Sequence, residues 1–307
     1  MLGLAVATAV LAGVLAGVTV ATDRSTAQAI ERIPLSARSV RAVWFGIPGD
    51  PSERLDVLDR DVGNAFAGLG LDGPTPLVLF RESTVAGRFA GITAVDGVGP
   101  NVILRSGRLP RTCTPARCEV LRLRGRGRLP NGPGLRLVEV GTATLRSTQL
   151  YGDFLRSTDA ATADAVIAPA LGRSGRYHRP IPGPLVVAEG RAALEAAPAL
   201  SRTYRTYSWV WPVDPGRPRL WDIDALVSDT ERARAELTAR SSSFYVDAPV
   251  EELRAAQRAA DVAGTRLLLV GGEGAALLLA FTVLAARGMR RDLEQARRRL
   301  TWFGARR

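Results

Sequence analysis

The chain predicts a membrane protein: two transmembrane α-helices flanking an α+β extracytoplasmic domain. Three observations carry this. Residues 2–22 are uncharged, and the first charges are Asp23 and Arg24. Residues 267–286 are twenty positions with one ionisable group, Glu273. Each stretch is long enough to cross a hydrocarbon core ~30 Å thick as a helix. Between them, runs of alternating apolar and charged residues mix with amphipathic helical patterns, the mark of an α+β domain. That domain, residues 23–261, is large enough for its own core.

The first stretch reads as a transmembrane helix (1–22) rather than a signal peptide, because no basic n-region precedes its apolar run. Gly13 and Gly17 form a G-x-x-x-G pair, a pattern that allows close helix approach. Residues 23–33 extend the helix outward as a short stalk that Pro34 ends. Residues 40–45 follow as a strand. A helix is expected over 51–69, with Leu55, Leu58, Val62, Phe66 and Leu69 on one face. Strands are expected at 76–80, 91–95, 102–104, 119–123 and 135–140, with apolar and charged residues alternating in the last two and Gly/Pro-rich turns between them. Further strands are expected at 151–155, 165–168 and 184–188, and a short helix at 191–197. Tyr207, Trp209 and Trp211 alternate on a strand ending at Pro212. They are either core or an exposed strip for a lipid, drug or peptide.

Pro249 with Glu251 and Glu252 starts another helix. No strong breaker follows except Gly264, so the helix is expected to run on into the second span, 262–286. From 249 to 286 it would be ~57 Å long at 1.5 Å per residue, longer than the membrane is thick. Its outer part would be a stalk carrying movement between the domain and the tail.

In 287–307, eight arginines stand against Asp292 and Glu294. Arginine beside a span marks the cytoplasmic side, which puts 23–261 outside the cell. Met289, Leu293, Ala296, Leu300 and Phe303 recur at intervals of 4, 3, 4 and 3, an apolar stripe on one helical face. Glu294 precedes Arg298 by one favourable helical interval. Such a helix either lies on anionic lipid or docks in the groove of a cytoplasmic partner.

The formal charge is +11, and all 41 basic residues are arginine. Nine basic residues against three acidic ones fall in 262–307, and thirty-two against twenty-seven in 23–261. The basic density therefore sits beside a membrane, which argues against a nucleic-acid partner. Without lysine there is no Walker A nucleotide site and no Schiff base, so any ATP hydrolysis must occur on another polypeptide. His178 is the sole histidine, and no nucleophile phrase accompanies it. No enzyme, metal site or cofactor is expected. The glycine-rich run GRGRLPNGPG lacks the strand–glycine–helix context of a dinucleotide loop. Cys113 and Cys118, the only cysteines, are expected to form a structural disulfide closing a six-residue loop, worth only ~2 kcal/mol by chain entropy. Glu273 is a costly carboxylate within a span. It faces a partner helix, water or a functional path, or else is protonated or snorkels. Gly271, Gly272 and Gly274 around it would let another helix approach.

The run RRRLTWFGARR at 297–307 resembles the segment after the second span of FtsX-like (MacB-type) ABC transporter permeases. Leu300, Phe303, Gly304, Ala305, Arg306 and Arg307 match the family's coupling phrase. Gly107-Arg108-Leu109-Pro110 with Glu119-Val120 is similar to the "GR…P…EV" turn of the MacB-like periplasmic core domain, with the disulfide an elaboration on it. The resemblance implies a permease subunit with a cytoplasmic coupling helix, 287–307, in which Met289, Leu293, Leu300, Phe303, Gly304, Arg306 and Arg307 engage a separate ABC ATPase subunit. It also implies membrane lipid and further permease spans, or a second permease copy, as partners. Permeases of this type carry at least four spans, so the chain is either a fragment or half of a two-chain unit. Two other readings stay open: a two-span sensor whose outer domain binds a ligand, and an FtsX-type regulator of an outer cell-wall hydrolase.

Overall fold

The computed structural model of the chain describes residues 2–33, 38–146, 184–216 and 222–302. Two compact units emerge, Met1–Ile30 with Arg254–Arg307, and Glu31–Leu253. The expected strands at 151–155 and 165–168, Pro34, and His178 lie outside the described residues.

The second unit is a mixed α/β domain. In chain order it contains β1 (Ser39–Gly46), a 3-10 turn (Pro51–Glu53), α2 (Leu55–Ala65), β2 (Thr75–Val85) and β3 (Arg88–Val95). Next come α3 (Val98–Asn101), β4 (Val102–Gly107), β5 (Cys113–Thr114), β6 (Arg117–Arg124), β7 (Asn131–Gly132) and β8 (Leu135–Leu145). The last are β9 (Leu185–Glu189), α4 (Arg191–Glu195), β10 (Arg205–Pro212), α5 (Asp222–Arg240) and β11 (Phe244–Asp247). The sheet order is β11-β1-β10-β2-β3-β9-β6-β8-β4, with β5 paired to β6 and β7 to β8. Most neighbours are antiparallel; β3 with β9 and β6 with β8 are parallel.

The register sorts the core into two faces, because residues directly opposite share a face. Val40, Ala42 and Trp44 stand opposite Trp211, Trp209 and Tyr207. That face meets α2: Phe66 stacks on Trp211 at 4.4 Å, and the Trp209 indole donates to Asp59 at 2.7 Å. Tyr207, Trp209 and Trp211 are 0%, 2% and 4% exposed, so the aromatic row is core and not a binding strip. On the other face, Leu77, Leu79, Val95, Val187, Leu121 and Val210 form one cluster with Val102 and Ala143. β10 and β4 lie six places apart in the order, so sharing a cluster requires the sheet to roll over on itself. Register shifts at Phe80/Ser83, Leu104/Ser106, Val120/Leu121 and Arg122/Arg124 supply the bends. Where β4 meets β8, a Cβ on Gly107 would stand 2.2 Å from the Val140 carbonyl oxygen. One on Gly141 would stand 2.3 Å from that of Ser106, so only glycine fits either place.

Two local differences from expectation have physical causes. The helix expected over 51–69 is shorter. Asp50 and Glu53 cap a separate 3-10 turn, and extended Arg54 (ψ 146°) breaks the chain before α2 begins. Phe66 and Leu69 stay buried beyond its end. The stretch 213–248, for which no element is predicted, holds α5 and β11. The inward face of α5 is Ile223, Leu226, Val227, Thr230, Ala233 and Leu237. Thr and Ala within the charged run DTERARAE dilute its amphipathic signal.

The first unit is a pair of helices, α1 (Leu2–Glu31) and α6 (Val250–Trp302), the latter belonging to it from Arg254. The helix starting after Pro249 therefore continues as expected, without a break to Trp302.

Candidate functional site

The chain's most distinctive surface is α6. Its most apolar window has a mean hydropathy of 2.1, yet only 6% of that window is buried. Leu269, Val270, Leu277, Phe281 and Leu284 are 62% to 70% exposed. A helix serving a soluble core would hide these side chains. By length and composition, α6 can cross a bilayer.

What the apolar stretch of α6 does cover is small. A Cβ on Gly271 would stand 2.5 Å from the Val14 side chain, and one on Gly264 would stand 2.8 Å from that of Thr22. The pairs 14 with 271 and 22 with 264 run in opposite directions, so α1 and α6 pack antiparallel along Val14, Val18 and Thr22. Glycine at those two places lets the backbones approach. Gly13 and Gly17 have nothing within 4 Å of a built Cβ, so their G-x-x-x-G pair is not the seam. Gly272 and Gly274 are equally open. Glu273 is exposed and, at 100° per residue, points about 200° away from the Gly271 seam. The threonine hydroxyls of both helices bond within their own helix: Thr19, Thr22, Thr26, Thr265 and Thr282 each donate to the carbonyl four residues back, at 2.7 to 3.1 Å. This arrangement leaves those hydroxyls satisfied without water.

Beyond residue 286 the same helix turns cationic. Met289, Leu293 and Leu300 are 67%, 65% and 58% exposed and lie within about 40° of one another around the axis, while arginines occupy the rest of the circumference. Trp302 is 93% exposed at the helix end. Phe303, Gly304, Arg306 and Arg307 lie outside the described residues.

The sheet unit has a cleft of about 880 Å³ lined by Asp59, Asp96, Glu189, Arg191, Glu195 and Tyr207, among others. β3 and β9 run parallel and end side by side, which delivers Asp96 and the start of α4 to one place. The Arg191 guanidinium donates to both oxygens of Asp59 and to Asp96, each at 2.9 Å, and its backbone N–H also donates to Asp96. Burial alone would lower the Arg191 pKa, yet its two carboxylate partners hold it above the ordinary value. Glu189 accepts from the N–H groups of Gly97 and Val98. Arg205 is 3% exposed and donates to Glu195 and to the carbonyls of Leu200, Ser201 and Thr203, with Phe80 beneath it. Burial, reinforced by Glu195, pushes the Tyr207 hydroxyl well above its ordinary pKa and keeps it neutral. The two arginines are satisfied by these carboxylates and carbonyls, so the cleft joins α2, β3, α4 and β10 as a polar clamp, while the Tyr207 hydroxyl and one Glu195 oxygen are buried without a hydrogen-bond partner among the described residues.

The Cys113–Cys118 disulfide is present, between directly opposite residues of β5 and β6. Next to it, Glu119 accepts two bonds from Arg108 at 2.7 and 2.6 Å and one from the Arg111 N–H at 3.0 Å. Arg108 above all holds the Glu119 carboxyl down at about 2. The residues of the "GR…P…EV" phrase are thus a lock: the glycine admits the strand crossing, and the arginine and glutamate fasten the loop. The clamp was invisible in the sequence, because Asp59 and Asp96 are 132 and 95 residues from Arg191.

No protein-family model matches the chain, and no curated protein matches it. What stands is a mixed α/β sheet unit and a helix long and apolar enough to cross a membrane.

Proposed function

We propose that the chain is a permease subunit, or part of one, of an FtsX/MacB-type ABC transporter, anchored in the cell membrane by α1 and α6. Residues 23–261 work outside, and the tail of α6 docks on a separate ATPase. The observation that carries this is the exposed Met289–Leu293–Leu300 stripe on a helix that continues unbroken from the apolar span. A helix lying on a bilayer must turn where it leaves the span. This one does not, and its last turn is ~24 Å beyond residue 286, past a headgroup layer ~5–7 Å deep. A protein groove therefore suits the stripe better than lipid does. The Gly264/Gly271 seam supports reading α1 as the second span, and Glu273, facing away from it, is the position proposed for a further span. That span belongs to a continuation of this chain, to another polypeptide or to a second copy.

The test is purification from membranes in mild detergent. The proposal requires a P-loop ATPase in the complex with measurable ATP turnover, and loss of that turnover in Leu293→Glu and Leu300→Glu. A complex without ATPase, or one indifferent to both changes, would leave the sensor reading. Glu273→Gln with intact assembly and transport would retire a role for that carboxylate.

A further inference from the structure

One region of the sheet unit remains unused by that reading. Residues 88–139 contain ten arginines against Asp96, Glu119 and Glu139, while 23–261 as a whole is only +5. Several arginines elsewhere in the unit are paired: Arg54 with Asp56, Arg191 with Asp59 and Asp96, Arg205 with Glu195, Arg232 with Asp229, Arg234 with Glu231 and Arg240 with Asp61. Arg88, Arg124, Arg126 and Arg128 have no acidic partner among the described residues.

Three of these four follow one another at alternate positions after Arg122, and Arg122 arranges them. It is 16% exposed and fastened to Glu139 at 2.9 and 2.5 Å. Its remaining N–H groups donate to the carbonyls of Gly125 (3.4 Å) and Gly127 (2.9 Å). Both glycines are left-handed, φ +82° and +105°, which lets the loop fold back around it. A trans peptide places C=O and the following N–H on opposite sides. With the two carbonyls turned inward, the N–H groups of Arg126 and Arg128 point away from Arg122. They donate no backbone hydrogen bond among the described residues. A concavity of about 710 Å³ lies here, lined by Arg88, Arg122, Gly127, Arg128, Asn131 and Glu139 among others. Outward backbone N–H groups beside unpaired guanidinium groups are the elements of an anion site.

We infer that this arginine loop, with Arg88 at the start of β3, is a recognition surface for a phosphate-bearing soluble polyanion. Guanidinium groups favour phosphate because their planar fork meets two oxygens at once. Arg88 and Arg128 line the concavity, and Arg124 and Arg126 lie within four residues of Arg128 in the same run. Several such groups suit a chain of phosphates better than a single ion, since each neutralised phosphate adds to affinity through counterion release. The surface lacks the large exposed apolar side chains that would insert into a bilayer.

The probe is fluorescently labelled inorganic polyphosphate, titrated by anisotropy against the full chain in neutral detergent at several salt concentrations. R88A/R124A/R126A/R128A is compared with R287A/R290A/R291A/R299A in the tail, since both remove four charges. The inference requires the loop variant to lose at least ~10-fold in affinity near 0.15 M salt and to flatten the salt slope by several units, with a tail effect under ~3-fold. R88K/R124K/R126K/R128K keeps the charge without the fork and should fall between. Equal losses in the loop and tail variants would make binding a general property of cationic surface and overturn the inference, as would no binding by the unaltered chain. Vesicles of anionic phospholipid form the second arm. If they compete as well as free polyphosphate at equal phosphate, the surface reads lipid and the inference fails.

Discussion

In the sheet unit, Trp44, Phe80, Ile92 and Leu121 are 0% to 1% exposed. Along the apolar stretch of α6, Leu269, Val270, Leu277, Phe281 and Leu284 are 62% to 70% exposed, and what is covered is small: Gly264 and Ala275 buried, Gly271 half-buried. Each large apolar side chain left in water forgoes about 1.5–3 kcal/mol of burial. A chain that packs one unit so completely has no reason to leave the other bare unless that unit meets a different solvent. Polar groups divide the same way: the sheet unit joins carboxylates to arginines across long sequence distances, and the helices bond their hydroxyls locally. The difference teaches that the sheet unit is built for water, where large apolar cores and paired charges stabilise. The exposed apolar stretch of α6 has the length and composition to suit lipid, where close packing through small residues takes over.

The largest break comes from the sheet core. Trp44→Ala should cost about 3–5 kcal/mol, since a buried indole leaves a cavity its neighbours cannot close. Thermal unfolding of the sheet unit should shift down strongly while membrane attachment stays. Arg191→Ala should cost less, about 2–3 kcal/mol. It strands Asp59 and Asp96, but their side chains are 36% and 47% exposed and reach water, unlike those of a fully buried pair. The helical side sharpens with a pair of variants. Gly271→Val forces a side chain onto Val14 and should weaken the helix pair by about 1–3 kcal/mol, whereas Gly272→Val, in open space, should not. Crosslinking between α1 and α6 through cysteines introduced near the seam reads the difference.

The smallest effect is a pH dependence. Glu119 titrates at about 2 when folded, below its ordinary 4.5. Its contribution is therefore complete above pH 4.5 and drains away as pH falls toward 2. Stability of the sheet unit should decline over that window, and Glu119→Gln should remove part of the decline. An unchanged slope would mean that the Arg108 lock contributes nothing.

Much of this was legible in the sequence. Every strand expected in the described residues is present, because alternation survives whenever one face of a sheet is covered. The continuous helix from 250 into the apolar stretch was legible too, since no breaker interrupts it. Sheet order was not, because strand neighbours are set by contacts between segments far apart in the chain. α5 was hidden by small and charged residues on its inward turn. The Arg191 clamp and the Arg122-anchored loop were hidden because neither has a local motif: in each, a guanidinium gathers groups by folding alone. The Gly13/Gly17 pattern shows the opposite error, a motif present without the contact it commonly serves.

Placement in the membrane is tested most directly by combining alkaline carbonate extraction with protease treatment of intact cells. The chain should remain with the membrane pellet, and external protease should cut within 38–247 while sparing the arginine-dense end at 287–302. Release into the aqueous wash, or cleavage of that end from outside, would contradict the placement and every proposal about coupling that depends on it.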